Sequence, residues 1–550
     1  MDSCYALLAV FSALQLAAAE PPDALVEKLL DRIVERENVF LAAIASRTPL
    51  AETYIQETPE GSDVSARPTE DHYFLGRVRW NGVVDYQPLL ARTDPAPAKP
   101  VSWLPFHSGT AKNHALTFLP RGFAQMAVLD LHDFNRRTYR FEYVRREFLG
   151  EIRCLVFDVA PVNRLTPGKF VGRIWVEDRD DTIVRFNGTF VQPPPSRSAF
   201  AERYFHFDSW RVNTAESLWV PAQVYIEEQA SAGRGAGGST PHFKAQTRFW
   251  DYAAMPSRKV DELTSILIES ATAVEDPDAP KDISPLESQR LWERQAEQNL
   301  LARLEKGGLL APPGPVEEVL NTVVNNLIVS SKLELEVHCR VLLTTPFETF
   351  SIGHTIVISR GLIDVLPDEG SLALTLASEL AHVALGHATQ TQFAFNNQTM
   401  LSDFELLQRF RFERPAEEMQ AASEKAVAMM RASPYADLAN AGLFLKALAA
   451  RRAAMPRLLQ ASLGDQVGDS AALARLASFA AAAPALEPGK LEQIAALPLG
   501  SRVKLNPWTN QLALVKTRPV ALLSAREKMP FEVTPFVLYL TRTEAVNAKK

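Results

Sequence analysis

Short runs of alternating apolar and polar residues recur from about residue 70 to residue 255, and Pro, Gly and Asp separate them. Val, Ile, Phe and Tyr dominate these runs, which is typical of antiparallel strands with one buried face. The clearest example is KFVGRIWVEDRDDTIVRFNGTF, residues 169–190, where two alternating stretches flank a polar turn at 177–181. This segment predicts a β-hairpin. The whole region therefore predicts a large antiparallel sheet.

An amphipathic helix is predicted before the sheet, over about 22–48, because Leu25, Leu29, Ile33 and Val39 fall close to one helical face. The Gly/Ser-rich stretch SAGRGAGGST predicts a loop between two later strands.

The chain has 550 residues, of which 47% are hydrophobic and 22% charged, so we expect folded domains rather than disorder. One ordinary core does not accommodate this length, and several domains are expected. The formal net charge of −7 supplies no basic field for a phosphate backbone. Nucleic acid is therefore excluded as an expected partner.

The first twenty residues resemble a secretory signal, with an apolar run from Tyr5 to Ala19 and small residues suited to cleavage near Ala19. The alternative is an apolar first helix, because Asp2 stands where a positive charge is usual. After cleavage only Cys154 and Cys339 remain, which excludes a disulfide framework. No later run is apolar enough to span a bilayer. The expected location is the periplasm or the extracellular space.

Proline and glycine punctuate the middle of the chain. Pro277 and Pro280 break a polar stretch, a helical pattern then runs to a stop at Gly307 and Gly308, and APPGP follows. A helix (VEEVLNTVVNNLI), two strands (ELEVHCRVLLT and TFSIGHTIVIS), Ala-rich helices to about 497 and a β-like tail are predicted next. The predicted divisions are a signal peptide (1–20), a β-rich domain (21–260), a helical linker (261–314), a third domain (315–460) and a helical segment with the tail (461–550).

The third domain contains the residues with the clearest chemistry, in the helical segment SELAHV. Positions four apart lie on one helical face, so two His at this spacing can hold one Zn²⁺ while an intervening Glu polarises the bound water. Here His382 and Glu379 are present, but position 378 is Ser. A hydroxyl is a poor substitute for imidazole as a zinc ligand.

The segment GHTIVISRGLIDVLPDEGSLALTLASELAHVALGHAT, residues 353–389, resembles the gluzincin metallopeptidases of the M-48 peptidase family. That family has a strand, a GL pair, an acidic loop and a helix reading H-E-x-x-H-V. The resemblance implies zinc, with Glu379 as general base and His382 as a retained ligand. The first family ligand is lost at Ser378. The third, a Glu on a later helix, falls on Ala421 and is also lost.

Other residues near this segment could replace the missing ligands. His354 is predicted in the preceding strand, while Glu417 or Glu418 could replace the third ligand if the helix register slips by about one turn. His387 lies about 140° beyond His382 on a continuous helix and is not expected to share its metal. Another interpretation is that Glu379 pairs with His382 three positions later, without metal.

The strand-rich segment around 155–190 resembles the half-barrel sheets of periplasmic lipoprotein-carrier and envelope-stress-sensor proteins, which hold acyl groups or lipoproteins. An ordinary packed β domain is the alternative. Together the patterns predict an α+β multidomain protein with an N-terminal antiparallel β-rich domain, a gluzincin-like metallopeptidase domain, Ala-rich helices and a short β-like C-terminal tail.

Three functions follow as hypotheses. The first is a non-catalytic metallopeptidase-like scaffold, chaperone or peptide-binding module of the cell envelope, with zinc absent or weakly bound. The second is an active zinc endopeptidase with substitute ligands. The third is a lipid or lipoprotein carrier or sensor that uses the N-terminal sheet. The expected partners are polypeptide segments or envelope proteins, with lipid or lipoprotein as an additional partner of the sheet.

Overall fold

The structure, a computed structural model of the chain, describes residues 23–58, 68–89, 121–191, 204–215, 217–229, 242–252, 285–395, 401–436, 439–466, 485, 500, 502–515 and 531–543. The predicted signal segment, the loop at 231–240 and most of the Ala-rich stretch beyond 466 lie outside these residues. Among the described helices, none combines the length and the apolar character needed to cross a membrane.

The N-terminal half is built on one antiparallel sheet of ten described strands. The chain runs through β4 to β10 as a meander, and β10 then pairs with β1, which continues the sheet through β2 to β3. The strands are β1 (Leu50–Thr58), β2 (Glu70–Asn81), β3 (Val83–Pro88), β4 (Tyr139–Leu149), β5 (Ile152–Pro161), β6 (Phe170–Glu177), β7 (Thr182–Phe190), β8 (Tyr204–Ala215), β9 (Leu218–Gln229) and β10 (His242–Trp250). The large antiparallel sheet predicted from the alternating runs is confirmed.

The hairpin predicted within 169–190 consists of β6 and β7. Ile174 lies opposite Phe186, and Asp181 adopts a positive φ of 54° in the turn between the two strands. The alternating apolar residues of this hairpin enter the core on one face of the sheet.

Helix α1 (Asp23–Ala45) packs across one face of the sheet, here called the helix-covered face. Leu30, Ile33 and Ile44 are buried there, whereas Val39, which was predicted on the buried side, is 55% exposed. The buried stripe instead passes through Glu37, whose carboxylate forms two 2.7 Å hydrogen bonds with the Arg211 guanidinium of β8. Both side chains are fully buried, so this charge pair fixes the rotation of the helix.

The opposite face of the sheet is covered by the C-terminal half. Leu50, Tyr54 and Trp250 belong to the same hydrophobic core as the helices and strands beyond residue 285. The Trp250 indole N–H donates to the Gly308 carbonyl oxygen at 2.7 Å, just after the helix Pro285–Lys306. The boundary inferred near residue 260 stays a prediction, but the described parts on its two sides share one core.

The C-terminal half is α+β. Its sheet has the order β11-β13-β12-β14, with β11 parallel to β13 and the other pairs antiparallel. The elements are α2 (Pro285–Lys306), α3 (Pro315–Ser330), β11 (His338–Leu342), β12 (Glu348–Ile352), β13 (Thr355–Ser359), α4 (Arg360–Val365), α5 (Glu369–Ala384), α6 (Asp403–Leu407), α7 (Ala416–Ala432), α8 (Ala439–Arg451), α9 (Pro456–Leu459) and β14 (Asp465–Gln466).

One strand prediction changes in this half. The segment TFSIGHTIVIS was predicted as one strand, but Gly353, at φ +55°, and His354 form a two-residue turn between β12 and β13. The described part of the predicted linker is the helix α2, which buries Ala296, Leu300 and Leu304 in the shared core.

The predicted β-like tail is a small hairpin, β15 (Val503–Leu505) with β16 (Leu512–Leu514), followed by an extended segment at 531–543. Within that segment Leu540 belongs to the same buried cluster as Trp210 and Trp219, on the face of the ten-stranded sheet opposite α1. The tail therefore covers a part of this face that the C-terminal helices do not reach.

Candidate functional site

Helix α5 carries the SELAHV segment through the middle of the C-terminal half. The Asp368 carboxylate caps its start by accepting a hydrogen bond from the Ser371 N–H at 2.8 Å. The helix packs against α3, α7 and α8 and against strands β12 and β13. Buried Leu376 and Leu380 anchor it, so the polar residues between them have fixed positions.

The Ser378 hydroxyl belongs to its own helix. It is half-buried, and its Oγ donates to the Leu374 carbonyl oxygen at 3.2 Å. Ala421, the position on which the M-48 resemblance placed the third ligand, lies exposed on α7 and has no donor atom in its side chain. The family-type ligand set of positions 378, 382 and 421 therefore offers only His382 as a strong ligand, and it does not fit a zinc ion.

Glu379 is 2% exposed and faces the small sheet. Its Oε1 accepts a hydrogen bond from the Thr349 hydroxyl of β12 at 2.8 Å. A carboxylate buried in a protein needs such partners, since its burial without them is costly. This hydrogen bond ties α5 to the edge of the sheet.

His382 lies beside His387, which was not expected to share its metal. Helix α5 ends at Ala384, and Gly386 adopts a positive φ of 68°. The Gly386 N–H donates to the Val383 carbonyl, and the His387 N–H donates to the His382 carbonyl, which together form a Schellman motif. The turn brings His387 back beside His382, with the two Nδ1 atoms 2.8 Å apart.

The angular separation expected between these two histidines assumed a helix that continues through residue 387. Instead the chain leaves the helix at Gly386, and a glycine directly after a helical pattern is the usual sign of this ending. Gly386 was therefore the sequence feature that could have predicted the position of His387 beside His382.

Helix α7 supplies the third side chain of the cluster. Glu418 is half-buried on the face of α7 that also buries Ala422 and Ala426, and its Oε2 lies 3.8 Å from the His387 Nδ1. One ligand atom from each of His382, His387 and Glu418 lies within 4.8 Å of the other two. Their burial decreases from His382, which is 2% exposed, to the half-buried His387 and Glu418.

The other candidate ligands lie elsewhere. Glu417 is exposed on α7. His354 is exposed in the turn after β12, where its Nδ1 lies 3.1 Å from the Glu336 carbonyl oxygen. A second group of donor atoms, which the sequence argument missed, joins Glu57, Glu70 and His72 across β1 and β2. In that group His72 Nε2 and Glu57 Oε1 are 2.6 Å apart, and Glu70 is exposed.

The outer edge of β12, beside the cluster, is already occupied. Glu348 and Thr349 pair with β14, and the Glu348 carboxylate accepts hydrogen bonds from the backbone N–H groups of Ser462, Leu463 and Gly464 at 2.8–3.1 Å. Burial raises the pKa of Glu348, and these hydrogen bonds oppose that shift.

Further along the same edge, the Arg414 guanidinium donates to the Ser351 carbonyl oxygen at 3.2 Å. The Gly353 N–H donates to the Thr389 hydroxyl oxygen at 2.7 Å. The backbone groups that an added strand would use are therefore bonded within the chain.

A small cleft opens beside Glu418, with a volume of about 160 Å³. Its lining includes Ser351, Thr389, Arg414 and Glu418. Pockets for drug-sized ligands usually measure roughly 300–1,000 Å³. This cleft admits water or a small ion, and it is too small for a polypeptide segment.

A larger groove lies on the ten-stranded sheet, over β4 to β8 and on the face opposite α1. Its volume is about 830 Å³, and its lining mixes charged and apolar side chains: Arg140, Glu142, Asp158, Val171, Arg173 and Trp175. The Arg173 guanidinium forms hydrogen bonds of 2.7 and 3.1 Å with the Asp158 carboxylate within it.

No known protein-family profile matches the chain, and no curated protein is detectably similar to it. Among solved structures, a DUF1329 family protein from Desulfovibrio piger is similar over 42% of this chain and 95% of its own, at 12% identity and a TM-score of 0.21. The complex structure of Pseudomonas aeruginosa MucA/MucB matches over 40% of this chain and 93% of the other, at 10% identity and a TM-score of 0.13. TM-scores this low do not define a function for the chain.

Proposed function

We propose that the C-terminal half is a non-catalytic, metallopeptidase-like module that serves as a structural scaffold for the N-terminal sheet in an exported envelope protein. The observation that carries this proposal is how the side chains of the SELAHV segment are hydrogen-bonded. Ser378 donates to its own helix, and Glu379 is buried in a hydrogen bond with Thr349. Neither group is arranged around a family-type zinc ion with its activated water.

The closed edge of β12 supports the same conclusion. A peptide that binds by strand addition needs free backbone N–H and C=O groups along an exposed edge. Here β14 and the Arg414 side chain already bond to this edge. The adjoining cleft of about 160 Å³ leaves no room for a peptide side chain and its backbone.

The contacts between the two halves support a scaffold. Glu52 of β1 accepts a 2.8 Å hydrogen bond from the Arg360 guanidinium and a 2.7 Å hydrogen bond from the Thr345 hydroxyl. Asp71 of β2 accepts hydrogen bonds from the N–H groups of Arg457 and Leu458, each at 2.8 Å. Buried polar contacts of this kind fix the relative position of two packed surfaces.

The test is a peptidase assay on the full chain with a mixed fluorogenic peptide library and an unfolded protein substrate. Glu379→Gln is the matched variant, because it keeps the shape of the side chain and removes the general base. We expect the parent and the variant to cleave equally little, with or without zinc. Cleavage by the parent that a chelator abolishes and that falls by about 100-fold or more in Glu379→Gln would establish the active endopeptidase instead.

A second proposal is that the N-terminal sheet binds an acyl-bearing lipid or lipoprotein in the groove over β4 to β8. Its volume of about 830 Å³ falls within the range of roughly 300–1,000 Å³ that is usual for ligand pockets. The helix-covered face is a less suitable site, because α1 and the segment at 121–134 bury their apolar side chains against it.

Mass spectrometry of lipids extracted from the purified full chain tests this second proposal. Val171→Glu places a charge in the groove, and Val83→Glu, on a side chain that is 69% exposed, is the control. We expect bound lipid in the parent and the control and a loss of about tenfold or more in Val171→Glu. A parent that carries no lipid after exposure to vesicles contradicts the proposal.

A further inference from the structure

We infer that His382, His387 and Glu418 form a binding site for one divalent transition-metal ion, with zinc as the best match. The site differs from the ligand set that the M-48 resemblance implied, because it uses the histidine after the Schellman turn and a glutamate one turn earlier on α7. It also goes beyond the proposed scaffold function, which requires no metal.

Two of the distances between the donor atoms lie within about half an ångström of the spacing around a tetrahedral ion. Zinc bonds to His nitrogen and carboxylate oxygen of about 2.0–2.2 Å place neighbouring ligand atoms about 3.3–3.6 Å apart in a tetrahedron. The observed separations are 2.8 Å between the two Nδ1 atoms and 3.8 Å from His387 Nδ1 to Glu418 Oε2. Shifts of about half an ångström, which are within the reach of side-chain rotation, bring both distances to the tetrahedral value.

The chemistry of the ligands selects the class of ion. Two imidazole nitrogens and one carboxylate suit zinc, cobalt, nickel or copper, whereas magnesium and calcium prefer oxygen ligands alone. Three protein ligands leave a fourth position for a water molecule. Of the three ligands, Glu418 lines the small cleft described above.

The surroundings hold the three side chains in place before a metal binds. The Schellman turn at Gly386 fixes His387 against the end of α5. The Arg414 guanidinium donates to the Ala388 and Ser351 carbonyl oxygens, which fixes the following loop against β12. Arg414 also lies 3.8 Å from Glu418 Oε2, so its positive charge competes with the ion and lowers the affinity of the site.

A metal at this position links the C-terminal end of α5 to the N-terminal turn of α7, two helices in extensive contact. Because an ion that binds only the folded chain stabilises it, zinc should raise the melting temperature of the parent. This rise in melting temperature requires His387, which the family-type ligand set does not use.

The experiment is a zinc titration of metal-stripped full chain against a chromophoric chelator, repeated with cobalt to observe its visible absorption. We expect one equivalent of zinc per chain and the strong absorption of four-coordinate cobalt. His387→Ala and Glu418→Gln should each weaken binding by more than about 100-fold, since even residues behind a ligand contribute about 10–100-fold. The matched controls His354→Ala and Glu417→Gln should bind zinc like the parent.

A second measurement avoids substitutions and therefore any loss of folding. Diethyl pyrocarbonate modifies accessible imidazoles, so zinc should protect His387 in the parent and leave exposed His354 reactive. The inference is overturned if the parent binds no zinc, if His387→Ala binds as tightly as the parent, or if zinc leaves the modification of His387 unchanged. Zinc bound in this way without peptide cleavage supports both the metal site and the scaffold proposal. Chelator-sensitive cleavage refutes only the scaffold proposal.

Discussion

The buried ion pair between the two halves gives the sharpest test of the scaffold proposal. Glu52 and Arg360 are 2% and 1% exposed, and they lie 308 residues apart in the sequence. Glu52 also accepts hydrogen bonds from the Thr345 and Tyr73 hydroxyl groups at 2.7 and 3.0 Å. Glu52→Gln keeps the volume of the side chain but removes the carboxylate charge to which the Arg360 guanidinium donates.

Removing one partner of a buried ion pair costs about 3–5 kcal/mol, because the remaining charge stays buried and uncompensated. Folded proteins are stable by only about 5–15 kcal/mol, so this loss is a large fraction of the total. We therefore expect Glu52→Gln to lower the free energy of unfolding by about 3–5 kcal/mol. The paired replacement Glu52→Leu with Arg360→Met should lie closer to the parent than either single variant.

Urea denaturation followed by tryptophan fluorescence and by circular dichroism measures these differences. Glu336→Gln is the control, since that side chain is 87% exposed and its replacement should change stability by less than about 0.5 kcal/mol. A loss below about 1 kcal/mol in Glu52→Gln would refute the reasoning. Additive losses in the paired replacement would do the same, because they would mean that the two charges act independently.

Three further predictions concern the same structure. Burial raises the pKa of Asp71 to about 6, so the folded chain holds the proton of this carboxyl group more tightly than the unfolded chain does. The resulting stabilisation is present below about pH 4 and is lost as the pH rises through 6. We expect Asp71→Asn to remove a decline of roughly 3 kcal/mol between pH 4 and 6, and thermal melts with an unchanged pH dependence would contradict this. Gly386→Ala forces an alanine into a positive φ of 68°, and the added Cβ has no neighbour within 4 Å. Calorimetry should therefore show a loss of about 1–2 kcal/mol in the free energy of unfolding, from the backbone conformation alone. A stabilised variant would be inconsistent with the turn. Glu348→Gln removes the carboxylate charge that accepts hydrogen bonds from three backbone N–H groups. Amide hydrogen exchange of residues 462–464 should therefore accelerate by at least about tenfold. Unchanged exchange would show that the β12 edge closes without this carboxylate.

Local patterns predicted the elements of the fold where side-chain periodicity decides the structure. The alternation in 169–190 predicted the β6–β7 hairpin, and Gly307 and Gly308 marked the end of α2. The same patterns placed Val39 on the buried side of α1, which was wrong, because a charged Glu37 is buried there instead. Periodicity cannot indicate that burial, since it depends on Arg211 in a strand 174 residues away.

The sequence by itself determined the sheet, the SELAHV helix and the presence of a serine, not a histidine, at position 378. These follow from residue identity and from contacts between near neighbours in the chain. Only the tertiary structure decided that His387 and Glu418 join His382, and that β14 closes the edge of β12. The physical reason is that a single positive φ at Gly386 reverses the chain, and the packing of α5 against α7 and β12 brings together side chains and backbone far apart in the sequence.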